Sequence, residues 1–194
     1  SLLAIGTTAF LMLEWNGALA NKPLHERVLI AGFHSMSCRT AGFNTTDLRE
    51  FSNASIFVSV LLMAVGAGPC STGGGLKVST FCVLVLQAWT TFRGSSRIQL
   101  FRRAIPRLSV ERATAVLILF SVIAILSLML LLVVEQNGGS HASGNASFIE
   151  AAFEVVSALG TVGLSIGMTP ELSESGRLII IVLMFTGRLG PITV

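Results

Sequence analysis

Apolar residues are concentrated in five segments that are separated by short polar connectors. Four of these segments cover residues 2–13, 54–65, 78–89 and 113–134, and the fifth begins at Leu178. A helix needs about 20 apolar residues to span a bilayer. Only residues 113–134 reach that length without interruption, as about 33 Å of helix. The pattern therefore predicts one complete span together with several apolar helices that are short or broken.

The composition is typical of a membrane protein and unlike that of a soluble enzyme. Hydrophobic residues make up 52% of the 194 residues and charged residues only 12%, whereas soluble domains carry about 25% charged residues. So high an apolar content excludes a disordered chain. The net charge of +3 is too small to indicate nucleic-acid binding. We therefore expect membrane lipid around the chain and no nucleic-acid partner.

Positive charge is concentrated in residues 93–112, which hold six arginines and one acid, Glu111. Residues 135–150, on the other side of the complete span, contain no Lys or Arg. Cytoplasmic loops are enriched in Lys and Arg, so the pattern predicts that residues 93–112 are cytoplasmic and residues 135–150 external. A basic run can also bind nucleic acid, but its place between two membrane segments favours the topological interpretation.

The apolar segments at 54–65 and 78–89 belong to one interrupted crossing. If residues 47–50 are external, the 43 residues from 51 to 93 must cross the membrane an odd number of times. Three crossings need about 60 residues, and one straight helix of this length would measure about 64 Å, twice the hydrocarbon thickness. Residues 66–75, GAGPCSTGGG, therefore break the helix. Non-helical backbone at membrane depth is tolerated where it lines a watery cavity, and the charged Lys77 at the end of the break suits such a cavity. The alternative is that these residues form a loop in the aqueous phase.

Two stretches, residues 33–44 and 153–165, share a pattern. In each, a half-length amphipathic run leads to the sequence Thr-x-Gly-apolar-polar, and a polar connector and an apolar helix follow. The Phe-to-Thr spacings of the two stretches differ by one residue. A dehydrated cation needs a ring of carbonyl oxygens, and glycine lets successive carbonyls point the same way. The repeated pattern predicts the span, half-helix and filter unit of a cation pore.

These motifs together resemble the Trk/Ktr/HKT superfamily of potassium transporters. Four stretches carry the resemblance and occur in family order: residues 39–45 (RTAGFNT), 68–77 (GPCSTGGGLK), 160–165 (GTVGLS) and 185–191 (FTGRLGP). They extend over nearly the whole chain. The glycine-rich loop is most similar to that of bacterial Ktr and Trk membrane subunits.

The resemblance implies an all-α membrane protein built from repeated span–pore-loop–span units around a pseudo-fourfold cation pore. Four repeats form the pore, and this chain holds the third and fourth. Residues 1–93 are the third repeat, residues 94–112 a cytoplasmic basic linker, and residues 113–194 a truncated fourth repeat. Because Ser1 is not a Met and Val194 lies within an apolar run, we expect a piece cut at both ends, carrying half a pore.

The resemblance further implies potassium uptake through a carbonyl-lined filter. The filter residues, whose backbone carbonyls bind K⁺, are Thr40, Ala41, Gly42, Phe43, Thr161, Val162, Gly163 and Leu164. The gating residues are Gly68, Ser71, Thr72, Gly73, Gly74, Gly75, Lys77 and Arg188. Arg188 is also singled out by helix geometry, since a helix that starts near Ser175 places it about 20 Å down the axis. A fixed cation at that depth repels potassium and suits a gate, unless the side chain snorkels to the inner interface.

As partners, the resemblance implies a second copy of the chain in a homodimer and a cytoplasmic nucleotide-binding regulatory subunit. It places the protein in the plasma membrane, as a multi-pass protein of the bacterial inner membrane. The chain itself is expected to be no enzyme and to hold no cofactor, because K⁺ is its substrate and nucleotide belongs to the regulatory subunit.

Two other functions fit parts of the sequence. An intramembrane hydrolase could use Ser71 or Cys70, but it needs a nearby base, and the topology assigns every histidine to the external side. A non-conducting structural membrane subunit has no use for the paired Thr-x-Gly stretches. His34 and Glu154 lie in the two half-helices, where we expect them to be packed behind the filter with satisfied hydrogen bonds.

Overall fold

The computed structural model describes residues 2–20, 22–66, 68, 73–93, 99–100, 103–104, 106–138 and 148–189. The elements in chain order are α1 (Leu2–Leu13), α2 (Leu24–Ser37), α3 (Asn53–Ala64), α4 (Val78–Phe92), β1 (Gln99–Leu100), β2 (Arg103–Ala104), α5 (Arg107–Gly138), α6 (Phe148–Leu159) and α7 (Glu174–Leu189). Short 3-10 turns, Leu48–Glu50 and Thr169–Glu171, precede α3 and α7. Apart from the antiparallel pair of two-residue strands, the described secondary structure is helical, as the sequence predicts.

The helices form two units of the same design. In the first unit α1 packs against α2 and α3, and in the second α5 packs against α6 and α7. The short helices α2 and α6 are the predicted half-helices. The units meet where α3 packs against α6, and the buried side chains of Met63 and Phe153 belong to one apolar cluster there.

Helix α5 contains the predicted complete span. Its stretch Leu108–Glu135 is the one helical segment in the described ranges that is long and apolar enough to cross a membrane. Few of its side chains are buried, and Ile118, Ile125 and Met129 are more than half exposed. An apolar surface of this extent is the kind that lipid covers. Helices α1, α3 and α4 are apolar but shorter, as the sequence predicts.

The crossing between α3 and α4 is broken, because α3 ends at Ala64 and α4 begins at Val78. The two ends of the break are held together by a parallel bridge between Val65 and Leu76. Gly66 N donates to Leu76 O at 2.8 Å, and Leu76 N donates to Ala64 O at 3.1 Å. Residues 66–77, the glycine loop, therefore leave and re-enter the helical path at nearly the same point.

A buried glutamate at the end of the first helix of each unit binds the start of the third helix of that unit. The side chain of Glu14 is 2% exposed, and its Oε1 accepts hydrogen bonds from Ser52 N, Ser52 Oγ and Ser55 Oγ. In the second unit Glu135 Oε1 accepts from Ser173 N at 3.1 Å and from Ser173 Oγ at 2.7 Å. Glutamate and serine are 38 residues apart in both units. These two contacts, the glutamate clamps, fix the N-terminal ends of α3 and α7.

The clamp at Glu14 gives a testable pH dependence. Burial raises the pKa of Glu14, but hydrogen bonds from Ser55, Ser52 and Ala18 outweigh burial and hold the pKa below its ordinary value. A depressed pKa stabilises the folded state above the unfolded-state pKa of about 4.3, and this contribution is lost as the pH falls through the folded pKa. We expect E14Q to lower the free energy of unfolding by about 2 kcal/mol at pH 7 and by much less at pH 3.

Thermal unfolding of the purified protein between pH 3 and pH 7 measures this difference. Glu111→Gln is the control, because Glu111 is exposed on α5. An E14Q deficit of the same size at both ends of the pH range would contradict the clamp.

Candidate functional site

The two Thr-x-Gly stretches have the same backbone shape. Thr40 and Thr161 have φ angles of +68° and +53°, and Gly42 and Gly163 have φ angles of +73° and +86°. A left-handed φ is strained for threonine, and here it recurs at equivalent positions two residues before a left-handed glycine. The predicted repeat is therefore present in the backbone as well as in the sequence.

A serine in each half-helix holds the end of its stretch. Ser37 Oγ donates to Phe43 O at 2.5 Å, and Ser157 Oγ donates to Leu164 O at 2.6 Å. The first pair is six residues apart and the second seven, which accounts for the one-residue difference in spacing. Ser37 is the last residue of its half-helix, and Ser157 lies two residues before the end of its half-helix at Leu159. Both serines are therefore close to the partial negative charge of a helix C-terminus.

The two stretches lie side by side. A β-carbon added to Gly42 would overlap the carbonyl oxygen of Val162 and would lie 3.5 Å from the Cα of Gly163. A β-carbon added to Gly163 would meet no atom within 4 Å. Gly42 is therefore a site of close approach between the stretches, whereas Gly163 borders open space.

The remaining predicted filter residues differ between the stretches. Phe43 is 69% exposed, whereas its counterpart Leu164 is 1% exposed. Val162 is buried and Ala41 is exposed. In the part of the chain that the structure describes, neighbouring residues cover the side chains of Val162 and Leu164, whereas Ala41 and Phe43 are open to one side.

His34 and Glu154 occupy equivalent positions, each three residues before the serine that holds its stretch. Both side chains are 4% exposed. His34 Nε2 lies 3.1 Å from Ser59 Oγ and 3.6 Å from Cys38 Sγ, and its ring packs edge-on against Phe10 at 4.6 Å. The ring of Phe51 packs against the other side of His34 at 5.0 Å.

Glu154 accepts hydrogen bonds from Ser165 Oγ and, at 2.7 Å, from Thr169 Oγ1. Both His34 and Glu154 are thus buried with satisfied polar atoms behind the stretches, as the sequence predicts. His34 links its half-helix to α3, whereas Glu154 links its half-helix to the loop outside the second stretch.

The glycine loop reaches the second stretch. Gly74 N donates to Thr161 Oγ1 at 2.7 Å, and a β-carbon added to Gly74 would lie 2.8 Å from Thr161 Cγ2 and 2.9 Å from Gly187 O. Gly75 has a φ of +77°, and a β-carbon at Gly66 would overlap Gly74 O. Gly74 therefore lies between the second stretch and α7 in a space that does not admit a side chain.

The structure brings some of the predicted gating residues together and leaves others apart. Gly74 is buried, Gly73 and Lys77 are half-buried, and Gly68 is exposed. Arg188 lies in the last turn of α7, next to Gly187, and its side chain is exposed without a hydrogen bond to any described residue. Ser71 and Thr72, like Cys70, lie outside the described residues.

Sequence reasoning missed Ser37, Ser157 and the glutamate clamps. Aligning the two repeats on Gly42 and Gly163 pairs Glu14 with Glu135, and aligning the half-helices on Phe33 and Phe153 pairs Ser37 with Ser157. Arg49 had no such signal, because the contact it makes joins one repeat to the other. Its Nε donates to Ile166 O at 3.0 Å.

A protein-family profile, TrkH, described as "Cation transport protein", matches residues 2–194. Ktr system potassium uptake protein B from Vibrio alginolyticus is 39% identical over 194 residues, covering 99% of this chain and 41% of the relative. The protein of the same name from Bacillus subtilis (strain 168) is 37% identical, covering 98% and 41%. A "Potassium/sodium uptake protein NtpJ" from Enterococcus hirae is 38% identical, covering 100% and 42%.

Among solved structures, the chain is similar to the potassium transporter TrkH from Vibrio parahaemolyticus. The TM-score is 0.81 at 18% sequence identity, and the match covers 99% of this chain and 41% of that one. This likeness is one of fold. The chain spans about two fifths of the length of these relatives.

The unequal surroundings of Gly42 and Gly163 predict unequal effects of alanine. Gly163→Ala meets no atom and costs only the strain of a left-handed residue, about 1–2 kcal/mol. Gly42→Ala adds a clash with the Val162 carbonyl and is expected to cost about 2 kcal/mol more. Thermal unfolding of the purified variants measures the difference. Equal losses of stability would show that the two stretches do not approach each other at Gly42.

Proposed function

The chain belongs to the TrkH family of cation transport proteins, and on this basis we propose that it forms part of a pathway for potassium uptake. Its relatives are transport proteins and not enzymes, so a hydrolase centred on Ser71 or Cys70 is not proposed again. The chain is a membrane protein of helical span and half-helix units. Potassium as the substrate, the filter and the gate are the further steps of the proposal.

The pairing of two equivalent Thr-x-Gly stretches is the observation that carries the proposal. Residues 40–43 and 161–164, the two filter stretches, share the sign of φ at threonine and glycine, and each is held by a serine hydroxyl. Repetition of one backbone shape around a common axis is how a ring of carbonyls replaces the hydration shell of a cation. A non-conducting subunit gives no reason for this repetition.

The surroundings of the filter stretches favour a cation. Helices α2 and α6 end just before the stretches, so the partial negative charge of each helix C-terminus lies next to the proposed path. The open space at Gly163 leaves room for an ion on that side. By the family pattern, a complete pore takes four such stretches, of which this chain supplies two.

We assign gating to the glycine loop and Arg188. The contact of Gly74 with Thr161 and with the backbone at Gly187 supports a loop that lies against the filter and moves with α7. Arg188 follows Gly187 directly, so a small displacement of the loop would change where this cation lies in the pathway. Lys77, at the start of α4, adds a second cation at the other end of the loop.

The assembly that we propose is a homodimer in the bacterial plasma membrane with a cytoplasmic nucleotide-binding subunit. Two relatives are named as protein B of a Ktr system, a name for one component among several. The basic residues 93–112 offer a cytoplasmic contact surface for the subunit. The chain itself holds K⁺ as substrate, and we propose no cofactor for it.

The filter is tested by serine substitutions in the full-length protein that carries this chain. Gly42→Ser and Gly163→Ser should each lower the preference for K⁺ over Na⁺ by about tenfold, equivalent to about 1.4 kcal/mol, because a side chain enters the path or displaces a carbonyl. Uptake by cells that lack other potassium transporters measures the effect. Gly32→Ser is the matched control, since a β-carbon there lies 3.9 Å from its nearest neighbour, Thr7. Unchanged uptake and preference in both filter variants would overturn the filter assignment.

The gate is tested by removing the positive charge of Arg188. Arg188→Ala should raise potassium flux by about tenfold or more, because a fixed positive charge no longer repels the ion along the path. Arg177→Ala is the control, because Arg177 lies at the other end of α7 and donates to Pro170 O at 2.7 Å. Flux that stays equal or falls in a well-expressed Arg188→Ala variant would count against the assignment.

A further inference from the structure

Arg49 belongs to the first unit but its side chain lies against the second. Its Nε donates to the carbonyl oxygen of Ile166 at 3.0 Å, across 117 residues of chain. Ile166 stands two residues after Leu164, the last residue of the second filter stretch. A β-carbon added to Gly167 would overlap Arg49 Nη2 and lie 2.7 Å from Cζ. The guanidinium group therefore lies directly against the backbone of Ile166 and Gly167, just after residues 161–164.

The first unit holds Arg49 in place from both sides. Arg49 lies in the 3-10 turn Leu48–Glu50, and its backbone N–H donates to Asp47 Oδ1 at 3.0 Å. Leu48, the first residue of the turn, and Phe51, which follows it, are both buried in the apolar cluster that contains Met63 and Phe153. The side chain of Arg49 thus starts from a fixed backbone, although its own surface is exposed.

The segment that Arg49 contacts is equally well defined. The side chain of Ile166 is buried in the same cluster as Leu48. Gly167 N donates to Ser165 Oγ at 3.0 Å, and Ser165 Oγ in turn donates to the buried Glu154. Gly167 has a φ of +101° and no side chain, which allows the guanidinium group to approach. Residues 165–167, the outer loop, are therefore held by α6 on one side and by Arg49 on the other.

We propose that Arg49 is a positioning residue for ion selection: it fixes the outer end of the second filter stretch to the neighbouring unit. This inference rests on the proposed function. Arg49 contacts no ion; it acts through the Ile166 carbonyl and the Gly167 backbone on the spacing of carbonyls 161–164. Because an exposed charge is screened by water and salt, Arg49 acts on ion selection through its contact with the backbone and not through its charge. The guanidinium fork, which lysine lacks, lets Arg49 donate to Ile166 O while its Cζ and Nη2 lie against Gly167.

The contact is tested without transport, by hydrogen exchange in the purified full-length protein. Arg49→Ala should speed exchange in the peptide covering residues 164–170 by about fivefold, as expected for the loss of one charge-assisted hydrogen bond. The matched control is Arg27→Ala, because Arg27 holds the carbonyls of Lys22 and Ala20 at 2.7 and 2.6 Å in a loop away from the filter. Unchanged exchange in residues 164–170 would overturn the proposal.

Transport assays in the same cells test the positioning role. Arg49→Ala should change the ratio of K⁺ to Na⁺ KM values by about fivefold with an unaltered unfolding temperature, and Arg49→Lys should fail to restore the ratio. Gly167→Ala should give the same change while retaining the charge, and the double variant should be no worse than either single one. If Arg49→Lys restores the ratio, the effect depends on the charge of this residue. If Arg49→Ala leaves the ratio unaltered, Arg49 has no role in ion selection. Either result overturns the proposal.

The two assays separate this inference from the proposed function. If the unmodified protein takes up no potassium, the proposed function fails, and the exchange measurement still decides whether Arg49 anchors the outer loop. If the unmodified protein takes up potassium and Arg49→Ala changes neither measurement, only the inference fails.

Discussion

Backbone that leaves the helix inside a membrane must find its hydrogen-bond partners within the protein, because the hydrocarbon offers none. This constraint explains the polar residues that occur in the apolar units. Ser37 and Ser157 donate to the carbonyls at the ends of the filter stretches. The Thr161 hydroxyl accepts from Gly74 in the broken crossing. Each polar side chain satisfies a backbone group that a straight helix would have satisfied by itself, so the irregular segments depend on a few hydroxyls for their shape.

The two units share their design but differ in what lies behind each filter stretch. In the first, His34 is packed between aromatic rings and contacts Ser59 on α3. In the second, Glu154 binds the hydroxyls of Ser165 and Thr169 in the outer loop. The second stretch is therefore tied to its own half-helix, to Arg49 and to the glycine loop at once. The two units are therefore alike in the backbone of these stretches and different in the residues that support them.

Glycine performs three distinct functions along the chain. At Gly163 it leaves open space, at Gly42 it allows the two stretches to touch, and at Gly74 it lets the broken crossing lie against Thr161 and Gly187. The sequence shows only that glycine recurs at these points. Whether a glycine lies beside open space or in an interface depends on neighbours more than 80 residues away. Local sequence patterns carry no information about those neighbours.

The sequence by itself determined the helical segments, the break between α3 and α4 and the repeat of Thr-x-Gly, because hydrophobic periodicity and glycine clustering are local properties. It also predicted that His34 and Glu154 lie behind the filter, since each precedes its stretch in the same half-helix. Only the tertiary structure decided how the units join: the packing of α3 on α6, the contact of Gly74 with Thr161, and the reach of Arg49 to Ile166. These contacts join residues far apart in the chain, and their geometry follows from how the buried faces fit together.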